Sequence, residues 1–372
     1  MKREELRTPC YVIMESEMKK NLQILQEIRQ QSGCKILLAQ KAFSMYSCYP
    51  LIGEYLDGTT ASGLYEAKLG KECMGKENHI FSPAYREDEF EEVLANCEHL
   101  VFNSFSQLEK FGERAANAGK SVGIRVNPEC STQEEHAIYD PCAPGSRLGI
   151  LASEFPETLP SYVEGLHFHT LCEQNADALE ITLKAVEEKF GKWMKQLKWV
   201  NFGGGHHITR ADYDRELLIS CVRRIQDTYN VQVYLEPGEA VALNAGHLIT
   251  TVEDIVHNDI AVLDVSAACH MPDVIEMPYR PPLFDSGEAK EKEYTYLLGG
   301  PTCLAGDVIG SYSFDQPLKV GDRLTFGDMA IYTTVKNNTF NGMRLPDIVW
   351  EHESGECEIV KSFGYEDFKC RL

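Results

Sequence analysis

A chain of 372 residues, 43% hydrophobic and 25% charged, exceeds what a single core usually holds, so a large domain with a smaller companion is expected. Its formal charge of -21 disfavours nucleic acid and anionic membrane surfaces and favours cationic ligands. Low-complexity tracts and stretches of about 18 apolar residues are absent, and Met1 to Lys20 lacks the apolar core of a signal peptide, so a cytoplasmic, globular protein is expected.

The first β-type run is Pro9 to Ile13. From residue 35 to 238, short β-rich runs then alternate with longer segments of helical periodicity, the pattern of parallel strands joined by helices. Eight runs follow one another: Lys35 to Lys41, Gly58 to Ser62, His79 to Pro83, His99 to Ser104, Ser121 to Pro128, Val163 to Thr170, Trp199 to Gly205 and Gln232 to Gly238. Eight such strands close a TIM-type (β/α)8 barrel, an α/β fold. Among the helical intervals, Ser106 to Gly119 sets Leu108, Phe111 and Ala115 on one face. Near Ala245 the texture changes. Runs such as Glu293 to Cys303, Lys319 to Phe326 and Asp328 to Val335 alternate with Gly and Pro turns and predict a second, mostly β C-terminal domain. The first run has no partner among the eight and joins that domain, giving a barrel over 15–245 and a β-domain over 1–14 plus 246–372. The 13 cysteines are scattered, without a CxxC pair or a disulfide framework.

Barrel active sites lie at the C-terminal strand ends, where the loops converge. Those ends carry Lys41, Arg125 with Asn127, His167 with His169, Gly203 to Gly205, and Glu236. A lysine ending an apolar strand reaches water, pairs, or loses its proton and becomes a nucleophile; taken alone, Lys41 reads as a rim lysine. Three glycines after a strand can aim amide groups at an anion such as a phosphate, or simply make a tight turn. Glu236 can hold a protonated pyridine nitrogen, or cap a helix. His167 and His169 lie on one strand face, and with His206 and His207 they also admit a zinc hydrolase, a reading that leaves Lys41, the glycines and Glu236 unexplained together.

The segments LLAQKAFS, GIRVNP, SRLGI, GLHFHT, NFGGG, EPG, GPTCLAGD, DMAIYT and FNG follow one another in the order found in the barrel-type pyridoxal-phosphate decarboxylases. The chain resembles that family, which includes ornithine, arginine and diaminopimelate decarboxylases on an alanine racemase-like fold. Through ASGLYEAKLG, GLHFHTLCEQ, GGGHH and DVSAACHMPDVIEMPYRP it is most similar to the branch acting on carboxynorspermidine and carboxyspermidine. The resemblance implies pyridoxal 5'-phosphate bound through Lys41, with His169 on the ring face, Glu236 against the pyridinium, and Gly203, Gly204, Gly205 and Tyr332 at the phosphate. It also implies a homodimer with shared active sites, in which Cys303 enters the partner's site to protonate Cα and Asp307 helps bind the substrate amine; read without its context, Cys303 is an ordinary buried thiol.

Two departures bear on the substrate: relatives carry Arg where this chain has Glu239, and Ser where it has Cys172. Phosphate binding must be redistributed, and Glu239 with Asp273, Glu276 and Asp307 suits a substrate bearing several ammonium groups, a polyamine. A diaminopimelate decarboxylase would need a cation for the distal carboxylate, for which Arg280 is the candidate, although its surroundings read as structural. A non-catalytic regulatory relative is the remaining alternative, against which the intact Lys41, Glu236 and Cys303 stand.

Overall fold

Strands that are apolar on both faces need cover on both faces, and in the computed structural model they obtain it by closing on themselves. After β1 (Cys10–Met14) come β2 (Lys35–Ala39), β3 (Gly58–Ala61), β4 (Glu77–Phe81), β5 (His99–Phe102), β6 (Ser121–Arg125), β7 (Val163–His167), β8 (Trp199–Asn201) and β9 (Gln232–Leu235). The strands β2 to β9 pair in chain order, all parallel, and β9 closes onto β2 with Tyr234 opposite Lys35. Most of their residues are buried, as expected of a parallel barrel under a helical layer. The helix Phe105–Asn117 shows how that layer is specified: the Ser104 hydroxyl accepts from the Gln107 amide, and Leu108, Phe111 and Ala115 are buried. The structure describes residues 1–133 and 137–372, in two compact units, Asn21–Val241 and Met1–Lys20 with Ala242–Leu372.

The starts of the barrel strands carry their own polar cluster. Glu77 accepts from Lys35 Nζ at 2.6 Å, from Tyr234 Oη at 2.8 Å and meets His79 Nε2 at 2.8 Å, while the His79 and His99 rings stack 4.0 Å apart. Beside it the Trp199 indole fills the space that Gly123 and Gly165 leave, since a Cβ on either would come within 2.2 Å of its ring. Burial opposes ionisation of Glu77, but His79, Lys35 and Tyr234 outweigh it and hold the carboxyl below its usual range.

The second unit is one sheet. It adds β10 (Gly246–Val256), β11 (Ile260–Leu263), β12 (Tyr294–Gly299), β13 (Val308–Phe314), β14 (Arg323–Phe326), β15 (Asp347–Glu351) and β16 (Cys357–Lys361). Its order is β13-β12-β11-β10-β1-β15-β16, with β14 also on β10. Thus β1 lies inside this sheet, antiparallel to β10 and parallel to β15. Tyr11, Leu248, Leu298, Tyr312 and Phe326 lie in its core. One expectation fails here. The run Asp328 to Val335 is no strand: left-handed backbone at Asp328 (φ 52°) and Tyr332 (φ 57°) turns the chain into a short helix, Thr333–Lys336, despite its β-branched composition.

Replacing Glu77 with Gln should destabilise the protein by about 1–3 kcal/mol at neutral pH, because Lys35 loses its charged partner. Since the folded-state pKa of Glu77 is depressed, its contribution is lost as the pH falls, so the gap to wild type should narrow below pH ~4. Urea unfolding of both proteins at the two pH values checks this; a gap unchanged by acid would show that the charge is not what stabilises.

Candidate active site

The C-terminal ends of the barrel strands deliver one constellation. Arg125, His167 and Asn201 stand opposite one another in register on β6, β7 and β8, and Glu236 follows β9 directly. Lys41 lies two residues beyond β2 in a turn, where Ala42 N–H donates to Ala39 carbonyl at 3.1 Å. Its side chain is exposed at the mouth. Nearby protein, then the Arg125 guanidinium, pull its pKa down, with Glu236, Glu239 and Cys172 opposing.

His169 accepts from the Gly204 amide through Nδ1 at 2.8 Å. Burial, Lys41 and Arg125 hold its pKa well below the usual imidazole range, so the ring is neutral and its proton sits on Nε2. The glycines beneath it are required by space: Gly203 and Gly205 have φ of 71° and 80°, and a Cβ on Gly204 would lie 2.5 Å from the Glu236 carbonyl oxygen. Glu236 is buried; its Oε1 accepts from Asn201 Nδ2 at 2.7 Å, and its Oε2 lies 3.2 Å from His167 Nε2. Burial works against its charge, but His167, His79 and Asn201 prevail and bring its pKa down to about 2. Arg125, over the Phe81 ring at 4.4 Å and donating to the His169 carbonyl, is lowered to about 10 by burial and stays charged.

Lys41, His169, Gly204 and Glu236 therefore line one inner cavity, and Lys41, Arg125 and His169 also border an outer one of about 470 Å³ with Tyr139, Asp140 and Arg147. Glu239 begins the short helix Glu239–Ala242, within electrostatic reach of Lys41. These residues fit pyridoxal phosphate: an amine for its aldehyde, an ionised buried carboxylate for its ring nitrogen, and a turn that only glycine can make for its phosphate. The structure also adds Glu66, which accepts from the Ser62 amide at 2.6 Å and whose pKa burial raises while Lys41 opposes. Its place in ASGLYEAKLG reads in sequence as an ordinary first-turn acid, so no signal singled it out.

The zinc arrangement is not assembled. Among the described residues the group with ligand atoms within 4.8 Å of one another is Glu77, His79 and His99, at the strand starts, and there Lys35 neutralises Glu77. His167 and His169 are engaged with Glu236 and Gly204 instead.

The sheet unit holds the remaining predicted residues. Cys303 is exposed, and its amide donates to the Asn341 side chain at 2.7 Å. Asp307, expected to meet a substrate amine, is buried with its carboxylate already accepting from Ser266 Oγ (3.0 Å), Ala268 N–H (3.2 Å), Thr302 Oγ1 (2.6 Å) and Thr302 N–H (3.3 Å). Four donors thus tie the carboxylate to the thiol loop. Asp273 and Glu276 both pair with Lys336. Tyr332 sits half-buried in left-handed backbone at the start of Thr333–Lys336. Arg280 stacks 3.9 Å over Tyr312 and donates to Ser311 and Gly287 carbonyls and to Glu288, so its guanidinium is committed within the sheet.

A family model described as "Pyridoxal-dependent decarboxylase, C-terminal sheet domain" matches residues 10–330. The carboxynorspermidine/carboxyspermidine decarboxylase of Campylobacter jejuni is 47% identical over 381 residues, covering 99% of each chain. A carboxyaminopropylagmatine decarboxylase of Synechocystis is 41% identical over 371 residues, covering 99% of this chain and 96% of that one. A crystal structure of carboxynorspermidine decarboxylase complexed with norspermidine, from Campylobacter jejuni, superposes with a TM-score of 0.92 at 46% identity, over 99% of this chain and 100% of that one.

Replacing Asp307 with Ala should leave four donors unsatisfied, lower stability by about 1–3 kcal/mol, and speed amide hydrogen exchange at Thr302 and Cys303. Exchange unchanged at those amides would show that the carboxylate does not secure the loop.

Proposed function

The chain belongs to the pyridoxal-dependent decarboxylases, and on that premise we propose that it decarboxylates carboxynorspermidine or carboxyspermidine to norspermidine or spermidine in polyamine biosynthesis. The observation that carries the reading is the meeting of Lys41, the glycine turn and an ionised Glu236 around one cavity. When bound, pyridoxal phosphate supplies an aldehyde that links to amines and a protonated ring that accepts the electron pair left by departing carbon dioxide.

Lys41 would offer the amine that holds the cofactor, His169 would cover its ring, and Glu236 would hold the ring nitrogen protonated. Gly203 to Gly205 and Tyr332 would take the phosphate. A second copy of the chain lends Cys303, whose thiol delivers the proton to Cα, so that the active form is a homodimer with shared sites. Glu239 supplies a carboxylate for the cationic substrate, and Asp273 and Glu276 add two more once a substrate ammonium competes with Lys336. The net charge of -21 draws a polycation toward the protein. The commitment of Arg280 to the sheet removes the cation that a distal diaminopimelate carboxylate would need. No helix among the described residues is long and apolar enough to cross a membrane, and the reading places the enzyme in the cytoplasm.

Lys41→Ala should abolish turnover together with the visible absorbance that borohydride bleaches; near-normal turnover would end the assignment. In an assay of carboxynorspermidine, carboxyspermidine, carboxyaminopropylagmatine, diaminopimelate, ornithine and arginine, kcat/KM for the carboxylated polyamines should exceed that for diaminopimelate by roughly 100-fold or more. The two polyamines, one methylene apart, should differ by no more than about 10- to 200-fold. Diaminopimelate turning over fastest would overturn the substrate assignment while leaving the chemistry.

A further inference from the structure

A carboxylate enclosed by protein is costly to keep charged, and a pyridine nitrogen set against it can relieve that cost by surrendering its proton. The result would be a neutral acid beside a neutral ring, whereas accepting an electron pair needs the charged ring. The donors aimed at the carboxylate decide between the two distributions. Among the described residues, Asn201 Nδ2 donates to Glu236 Oε1 at 2.7 Å and His167 Nε2 faces Oε2 at 3.2 Å.

His167 is 2% exposed at the end of β7, its ring stacked on that of Phe81 with centroids 5.6 Å apart, and its Nδ1 has no hydrogen-bond partner among the described residues. Burial pulls the imidazole pKa down, with Glu236 opposing. A neutral ring has one proton to place, and a lone pair on Nε2 would face the carboxylate, so the proton belongs on Nε2.

We propose that His167 is a positioning residue for the cofactor ring: its Nε2–H, with the Asn201 amide, holds Glu236 in place as an anion, so that the proton stays on the ring nitrogen. The proposal rests on Glu236 being the partner of that nitrogen. Other charged or titratable groups act on Glu236 from around the barrel, namely Lys41 after β2, His79 on β4, Arg125 on β6 and His206 after β8, but the hydrogen bonds to its oxygens come from His167 and Asn201. They influence its charge without directing it.

The test uses holoenzyme reconstituted with pyridoxal phosphate labelled with ¹⁵N in the ring, read by ¹⁵N NMR at neutral pH. Wild type should show a protonated ring nitrogen. His167→Phe keeps an aromatic ring against Phe81 and removes the donor; its signal should move to the neutral-pyridine position with cofactor still bound, and kcat should fall about 10- to 100-fold with KM little changed. His167→Gln, which restores an N–H near the Nε2 position, should recover the protonated signal. If His167→Phe fails to fold, His167→Met, with similar volume and no donor, carries the same measurement. A loaded, folded His167→Phe or His167→Met protein with a wild-type ¹⁵N shift overturns the proposal. Glu236→Gln separates the two levels: if it too keeps the protonated shift, the reading of Glu236 itself fails, whereas a shift lost there and kept in the His167 variants removes the role of His167 alone.

Discussion

A negative charge kept inside protein organises the barrel mouth. Glu236 stays ionised because Asn201 and His167, standing in register on adjacent strands, direct N–H groups to its two oxygens. Neither strand could supply both donors, since each presents one side chain to that point. The closed parallel barrel is therefore a condition of the charge, and through it of any cation placed against it. Lys41 shares the mouth with Glu236: neighbouring protein lowers its pKa, and the Arg125 guanidinium adds to that effect.

The barrel keeps two polar systems apart by strand direction. At the strand starts, Glu77 is fully engaged by Lys35, His79 and Tyr234, and the Trp199 indole packs against two glycines. Glu77 is the hub of that cluster, while Nδ1 of His79 and Nδ1 of His99 are buried with no hydrogen-bond partner among the described residues. At the strand ends Lys41 opens into a cavity, and the ring nitrogens of His207 are buried with no hydrogen-bond partner among the described residues. The cavity at the loop end, where ligands bind in such barrels, marks that end for chemistry.

In the sheet unit the same reasoning changes the meaning of an acid. Asp307 reads as a ligand when only its type and its neighbour Cys303 are known. Its four donors come from the Ser266 and Ala268 region and from Thr302, so it binds two segments of the sheet unit to each other. Asn341, in left-handed backbone at φ 56°, meets the Cys303 amide from a third.

Much was legible beforehand, and for a physical reason. Eight apolar runs spaced by amphipathic helices dictate a parallel barrel, because a parallel sheet must be covered on both faces, and the residues at the run ends must then share one mouth. The glycine turn, Lys41, His169 and Glu236 are tied to strand ends, so local pattern suffices to gather them. The Asp328 to Val335 run was misread because its β-branched composition outweighed two left-handed residues that nothing local announces. What only the tertiary structure decided is which polar groups are already engaged: that Asp307 and Arg280 meet partners up to 41 residues away, that Asp273 and Glu276 meet Lys336, and that His167 meets Glu236 across 69 residues of chain. Sequence fixes a side chain's chemistry and its distance from a strand end; whether that chemistry is free depends on contacts made across the fold, which residue order alone does not encode in any local pattern.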